Sequence, residues 1–326
     1  MNENFNIVIR VILVSSLIVI LLGPLVIPFL KRLKIGQSIR EEGPKSHIAT
    51  KSGTPTMGGL LIMLGTIIAT ITSGNFSKEV IVSIISMLAF GLVGFLDDYI
   101  KVVLKRNLGL KAYQKIIGQL IFAVLLAIYG AKHSVDGTKL VIPFTNIHLE
   151  LGILYIPFAV FAIVGIVNGV NLTDGLDGLN SGVTLIVMSA FALIANSFSM
   201  FDSSYNGIVI VSAATAGACL GFLRYNAHPA KIFMGDTGSL ALGGMLAAIA
   251  VNTSLIFVLP IIGGIYIAEI LSVIIQVSYY KKTKKRVFKM APIHHHFEMC
   301  GWKETKVVAV FWLATVILAF IGIYSV

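Results

Sequence analysis

Residues 81–101 read IVSIISMLAFGLVGFLDDYIK and end an apolar segment with two adjacent aspartates, Asp97 and Asp98. An apolar segment of about 17–25 residues is long enough to cross the hydrocarbon core of a bilayer as a helix. An ionised carboxylate inside that core is costly unless it is solvated or paired, so acids at the end of such a segment mark a membrane boundary. The stretch therefore predicts a transmembrane helix that brings two carboxylates to one membrane surface.

The composition of the whole chain agrees with this prediction. Its 326 residues are 56% hydrophobic and 12% charged, with a mean hydropathy of +0.91, whereas soluble domains average about 25% charged residues. We expect an all-α polytopic membrane protein that forms a single domain over residues 1–326. Ten apolar segments are expected to span the membrane: Ile7–Leu30, Met57–Ser73, Val80–Leu96, Ala112–Gly130, Leu151–Val167, Leu179–Ser197, Gly207–Leu223, Leu240–Val251, Leu255–Tyr279 and Val307–Tyr324.

Two of these segments need a comment. The first lacks an obvious small-x-small cleavage site, so we expect it to be retained as a span rather than removed as a signal peptide. The eighth is short as drawn, and its helix is expected to begin nearer Asp236.

The basic residues indicate the orientation of the chain. Of the 25 Lys and Arg residues, 21 fall in the segments 31–55, 97–115, 222–238 and 280–306. These segments alternate with connections that are poor in bases, so the positive-inside rule places them in the cytoplasm and both termini outside. The net charge of +10 is then concentrated on one face, where it suits anionic lipid or phosphate better than a nucleic acid.

Two connections have patterns of their own. In Ala131–Glu150, two short apolar runs separated by a proline predict a small hairpin on the outer side. In Tyr279–Glu304, six bases fall within the nine residues from Lys281 to Lys289 and are mixed with apolar residues, which is typical of an interfacial and partly helical cytoplasmic segment. No disulfide is expected between Cys219 and Cys300, and two cysteines cannot form a thiolate metal site.

The aspartate pair allows more than one interpretation. Adjacent helical residues point about 100° apart, so both carboxylates are not expected to face one target, whereas Asp97 and Lys101 share a helix face. A carboxylate beside a base could be a metal ligand, a proton acceptor or a charge-neutralised helix end.

A second motif, residues 168–180, reads NGVNLTDGLDGLN. Glycines between polar residues let backbone amides approach a ligand, and the following helix would offer unpaired N–H groups. Thr173 or Asp177 could equally be an ordinary helix N-cap. Because the loop is acidic and glycine-rich, it suits a metal ion or the edge of a sugar or base better than a lipid headgroup.

A third motif places Asp236 between Gly235 and Gly238 at the start of the next apolar segment. This arrangement can hold Mg²⁺ on the carboxylate while nearby amides meet phosphate, although the pattern of an ATP-binding P-loop is missing. The nearby His228 is expected to be structural. Phe233 could stack on a planar base or anchor the loop at the membrane surface.

The histidines His294, His295 and His296 form a fourth motif. Three consecutive residues of a helix cannot all point at one ion, so hydrogen bonding to phosphate or stabilisation of a leaving group by one or two of them is the better hypothesis. Glu269 lies within an apolar segment and is expected to be the hydrogen-bonded partner of another buried group. Gln276, nearer the inner surface, could line the cleft that holds the acidic motifs and the histidines.

Five motifs occur in order along most of the chain: GTPTMGG at 53–59, DDYIK at 97–101, NLTDGLDGL at 171–179, FMGDTGS at 233–239 and PIHHHFE at 292–298. Together they resemble the phospho-N-acetylmuramoyl-pentapeptide transferase family. This family belongs to the polyprenyl-phosphate N-acetylhexosamine-1-phosphate transferases, whose other members share the acidic motifs but differ around the histidines.

The resemblance implies a ten-helix fold, a homodimer, dependence on Mg²⁺ and a location in the bacterial plasma membrane with a cytoplasmic active site. It also implies transfer of phospho-MurNAc-pentapeptide from its UDP carrier to undecaprenyl phosphate, which yields lipid I and UMP. A transferase for UDP-GlcNAc is the nearest alternative. A secondary transporter is a more distant one, because it would place its ionisable groups near the middle of the membrane.

The resemblance also implies roles for individual residues. Asp236 would bind Mg²⁺, and Asp97 and Asp98 would orient or deprotonate the lipid phosphate. The rest of the catalytic surround would be Lys101, Asn171, Asp174, Asn226, His294 and His295. Substrate would be bound by Gly175, Leu176, Asp177, Phe233 and Gln276, with Lys51 at the rim and Lys115 in place of the base that similar proteins have near Tyr113.

Overall fold

The computed structural model describes residues 3–32, 53–104 and 109–326, which form a bundle of helices with one small hairpin. The elements are α1 Glu3–Arg32, α2 Gly59–Thr72, α3 Lys78–Val102, α4 Ala112–His133, β1 Lys139–Val141, β2 His148–Glu150, a 3₁₀ turn Gly152–Leu154, α5 Tyr155–Thr173, α6 Leu179–Phe198, α7 Tyr205–Asn226, α8 Gly235–Asn252, α9 Leu259–Ile262, α10 Gly264–Thr283, α11 Ile293–Met299 and α12 Glu304–Tyr324.

The helices have the length and composition of membrane spans. Among the described residues, seven are long and apolar enough to cross a bilayer: Asn6–Arg32, Lys78–Val102, Ala112–His133, Gly152–Thr173, Leu179–Phe198, Tyr205–Asn226 and Glu304–Tyr324. The helix α2 is apolar but shorter, with 14 residues, and α8 and α10 have 18 and 20. The prediction of an all-α polytopic membrane protein is therefore confirmed.

One predicted span is interrupted. Between Leu255 and Tyr279 we expected a single helix, and this is wrong, because the short helix α9 ends at Ile262 and Gly263 separates it from α10. Pro260 lacks a backbone N–H and is tolerated in a helix only in the first turn, so a helix cannot run through it from Leu255. Gly263 then leaves the helical conformation, with φ −92° and ψ 29°.

The helix α8 lies at the centre of the bundle. All of its residues from Thr237 to Asn252 are buried, and it begins at Gly235, close to where the sequence placed its start. Its neighbours approach closely because they present glycine: a Cβ on Gly94 of α3 would lie only 2.0 Å from the carbonyl oxygen of Asp236. Because of this contact, the last turn of α3 lies beside the first turn of α8.

The two expected connecting structures are present. The strands β1 and β2 pair antiparallel, with Leu140 opposite Leu149, so the predicted hairpin is confirmed. At the other side of the bundle, the segment after α10 is irregular up to α11, a helix of seven residues that carries the histidines. This agrees with the partly helical structure predicted for the segment.

Candidate active site

Three carboxylates meet where α3 ends and α8 begins. One oxygen from each of Asp97, Asp98 and Asp236 lies within 4.8 Å of the others. The expectation that Asp97 and Asp98 would not face a common target is therefore wrong. Both carboxylates reach α8, but they meet different groups of its first turn. Asp98 binds backbone N–H groups, and Asp97 lies near the side chain of Asp236.

Asp98 holds the first turn of α8. Its Oδ1 accepts the backbone N–H of Asp236 at 3.2 Å, and its Oδ2 accepts the N–H and hydroxyl of Thr237 at 2.9 and 2.7 Å. A negative charge at a helix N-terminus is favourable because unpaired N–H groups and the helix dipole both point towards it. Gly235 leads into this turn with a φ of 75°, a conformation that glycine adopts readily.

Two lysines surround the acidic cluster. The Nζ of Lys101 lies 2.5 Å from Asp97 Oδ2 and 2.8 Å from Asp236 Oδ2, which confirms the predicted pairing of Asp97 and Lys101 on one helix face. The Nζ of Lys115 lies 2.9 Å from Asp236 Oδ2 and 3.3 Å from Asn171 Oδ1. Lys115 therefore does lie in the site.

Asp236 is fixed on its other side by Asn171. The Asn171 amide donates to Asp236 Oδ1 and to Ser239 Oγ, and both distances are 2.8 Å. The two lysines on one side and Asn171 on the other therefore fix the orientation of the Asp236 carboxylate.

The donor set of this cluster fits a hard divalent cation. Carboxylate oxygens are the ligands that Mg²⁺ prefers, and two or more acids commonly share such an ion. Among the described residues, Lys101 and Lys115 are the bases paired with this cluster, so its three carboxylates outnumber its two lysines when all five groups are ionised. That excess would be compensated by a bound cation.

The glycine-rich loop after α5, residues 174–178, is fixed by Asn226. The Asn226 Oδ1 accepts the N–H of Gly178 at 3.1 Å and the hydroxyl of Ser181 at 2.8 Å, while its Nδ2 donates to Ile232. Gly178, with a φ of 78°, is the N-cap residue of α6, so the alternative that Thr173 or Asp177 caps this helix is wrong. The hydroxyl of Thr173 instead donates within α5.

Asp177 anchors the same loop on a second side. Its Oδ2 accepts the N–H of Ala230 at 3.0 Å and lies 3.1 Å from His228 Nδ1, and its own N–H donates to Glu304 at 2.7 Å. These contacts agree with the structural role expected for His228, although Asp177, His228 and Glu304 also lie close enough together to hold a metal ion. Glu304 was not singled out from the sequence, because it lies 127 residues from its partner and in no motif.

The three histidines point to three different partners, as expected. His294 Nδ1 lies 3.0 Å from Glu269 Oε1, and His295 Nδ1 lies 2.8 Å from Glu298. His296 Nδ1 accepts the backbone N–H of Lys289. The prediction that Glu269 is a buried hydrogen-bonded partner is confirmed.

The remaining candidate residues lie in different settings. Gln276 holds the basic segment after α10: its Oε1 accepts the N–H groups of Val287 and Phe288, and its Nε2 donates to Phe288. Phe233 is half-buried, and its backbone exchanges hydrogen bonds with the 53–59 motif. Leu176 is buried, whereas Asp174 ends α5 next to Gly175. Lys51 lies outside the described residues.

Residues 80–254 of this helical membrane protein match the model of Glycosyl transferase family 4, so it is an integral-membrane transferase. Residues 51–63 match the phospho-N-acetylmuramoyl-pentapeptide-transferase signature 1. The chain is 55% identical to the phospho-N-acetylmuramoyl-pentapeptide-transferase of Alkaliphilus metalliredigens, over 99% of each chain. It is 54% identical to that of Clostridioides difficile over 96% of each chain, and 52% identical to that of Bacillus subtilis over 98%. The chain belongs to the phospho-N-acetylmuramoyl-pentapeptide transferase family.

Proposed function

We propose that the protein transfers phospho-MurNAc-pentapeptide from UDP-MurNAc-pentapeptide to undecaprenyl phosphate, forming lipid I and UMP for peptidoglycan synthesis. The observation that carries this proposal is the cluster of Asp97, Asp98 and Asp236 with its two lysines, in a chain that resembles such transferases over nearly its full length. Both substrates are anionic, so a site for their reaction needs positive charge beside a place for a metal ion.

The described residues divide this task. Mg²⁺, held by Asp236 with Asp97 beside it, would neutralise the diphosphate and polarise the bond that breaks. Lys101 and Lys115 add two positive charges at the same point and would bind the reacting phosphates through charge-assisted hydrogen bonds. Asn171 orients Asp236, and Asp98 keeps the first turn of α8 in position. Asp97 is engaged as well, because its Oδ1 accepts the backbone N–H of Leu110 and its Oδ2 pairs with Lys101. Asp97 and Asp98 are the two acids that would orient or deprotonate the lipid phosphate.

We also propose the arrangement of the protein in the membrane. The ten helices α1–α8, α10 and α12 cross the bacterial plasma membrane, both termini and the hairpin lie outside, and the carboxylate cluster faces the cytoplasm. The concentration of bases on the connections at the cluster's side supports this orientation. A soluble nucleotide donor and a lipid acceptor can meet only at such a surface.

We also propose that the protein functions as a homodimer, as the resemblance to its family implies.

The decisive experiment is a turnover assay with purified protein. Incubation with UDP-MurNAc-pentapeptide, undecaprenyl phosphate and Mg²⁺ is expected to release UMP and produce lipid I, and chelation of the metal is expected to stop both. UDP-GlcNAc serves as the control donor. Release of UMP from UDP-GlcNAc but not from UDP-MurNAc-pentapeptide would replace the proposed substrate with its nearest alternative.

A further inference from the structure

Glu269 and His294 form a fully buried pair between α10 and α11. Both side chains have 0% exposure, and His294 Nδ1 lies 3.0 Å from Glu269 Oε1. The second carboxylate oxygen, Oε2, accepts the backbone N–H of Ile293 at 3.0 Å. The carboxylate therefore fixes both the histidine ring and the first residue of the short helix that carries it.

The hydrogen bond to Glu269 assigns the two nitrogens of the His294 ring. A carboxylate that already accepts an N–H from Ile293 acts on His294 as an acceptor, so Nδ1 carries a hydrogen. The nitrogen left for any other partner is Nε2. In a neutral ring it accepts a hydrogen bond, and in a charged ring it donates one.

The Nε2 atom of His294 is buried and has no hydrogen-bond partner among the described residues. Buried polar atoms are nearly always paired, so Nε2 is a hydrogen-bonding atom that the described side chains leave available. It faces the glycine-rich loop: a Cβ on Gly175 would lie 2.1 Å from it. Gly175 follows α5 about one turn after Asn171, the residue that holds Asp236.

We propose that Glu269 is a positioning residue for the transfer reaction: it fixes the His294 ring through Nδ1, so that Nε2 meets a phosphate of the nucleotide when the loop at Gly175 takes up the substrate. This inference rests on the proposed function. Phosphate oxygens without a proton only accept hydrogen bonds, so Nε2 donates in the bound state and the ring is positively charged. Glu269 then balances that charge from the opposite side of the ring.

The exchange Glu269→Gln tests this arrangement because it changes the ring while keeping the volume of the side chain. Its amide oxygen can accept the N–H of Ile293, which leaves the NH₂ group to donate to His294 Nδ1. The ring must then carry its single hydrogen on Nε2 and loses its charge. Ser272→Ala is the matched control, because it removes a buried hydrogen bond of the same helix without touching the carboxylate.

Binding of uridine and of UDP, measured by calorimetry, separates a phosphate contact from general damage. The variant keeps an Nε2 hydrogen to donate but loses the positive charge of the ring, and a hydrogen bond assisted by charge is roughly twice as strong as a neutral one. Glu269→Gln is therefore expected to bind UDP about tenfold more weakly and uridine unchanged. Ser272→Ala is expected to bind both as the wild type does. An equal loss for uridine and UDP, or no loss for either, would overturn the inference.

The histidine signals of the wild-type protein test the inference without any variant. With ¹⁵N-histidine label, and His294 identified by the signal missing from His294→Gln, the free protein is expected to show hydrogen on Nδ1 of His294. UDP should add a hydrogen at Nε2, and uridine should not. A His294 signal that ignores UDP contradicts the inference, whereas a wild-type protein that neither binds UDP nor forms lipid I contradicts the proposed function itself.

Discussion

At the scale of single residues, Asp236 is the carboxylate on which the two lysines of the site converge. Its carboxylate is contacted by Lys101, Lys115 and Asn171 at once. Its replacement therefore changes the charge balance of the whole cluster while leaving the buried face of α8 intact.

For Asp236→Asn we expect lipid I formation to fall by at least about a hundredfold, the loss typical when one electrostatic contact to the reacting group is removed. The thermal unfolding midpoint should change little, because the carboxylate packs against no apolar core. UMP release and a thermal scan measure the two effects. Asp202→Asn, an exposed aspartate outside the cluster, is the control and should behave as the wild type. Turnover near the wild-type rate in Asp236→Asn would remove this residue from the mechanism.

The sequence predicted part of this residue-level detail. The pairing of Asp97 with Lys101 follows from helical spacing, since i and i+4 share a face. The role of Asp98 could not be predicted in the same way, because the backbone that it holds lies 138 residues further along the chain. A local pattern reports local neighbours, and contacts between distant helices depend on how the helices pack.

At the scale of elements, the site depends on how closely α3 approaches α8. Gly94 makes the approach possible, since a Cβ there would lie 2.0 Å from the carbonyl oxygen of Asp236. Any added atom must move α3 relative to α8, and Asp97 and Asp98 move with α3.

For Gly94→Ala we expect turnover to fall at least tenfold, together with a loss of stability of about 1–3 kcal/mol, as for other overpacked cores. Gly165→Ala is the matched control in α5, because a Cβ there meets no described atom within 4 Å. Turnover and thermal unfolding of both variants give the comparison. If Gly94→Ala retained wild-type activity, the close contact of α3 with α8 would not be needed for the chemistry.

Hydropathy predicted the helices better than their interruptions. Long apolar segments define spans because the bilayer requires them, and the start of α8 was placed correctly near Asp236. The break at Gly263 was missed because Leu255–Tyr279 is long and mostly apolar, and the signals within it, Pro260 and the pair Gly263-Gly264, are local. Glu304, which binds the loop at Asp177, had no sequence signal at all.

At the scale of the whole molecule, the orientation proposed for the chain can be tested with its own two cysteines. Cys300 is exposed, directly after α11, whereas Cys219 is fully buried in α7. Cys300 lies on the side that carries the carboxylate cluster in the proposed topology.

A membrane-impermeant maleimide is therefore expected to label Cys300 in inverted vesicles and not in intact cells. Mass spectrometry after digestion locates the label. In Cys300→Ser no labelling should remain on either side, since Cys219 is inaccessible. Labelling of Cys300 from outside intact cells would reverse the proposed orientation.

The hold of Asp98 on α8 has a consequence for how the protein is made. The ribosome adds Asp97 and Asp98 to the chain long before Gly235 and Asp236, since Asp98 and Asp236 are 138 residues apart. A nascent chain that stops before residue 235 contains both early acids but no helix end to receive them. The catalytic centre is thus a late product of biosynthesis, and a prematurely terminated chain inserts into the membrane without it.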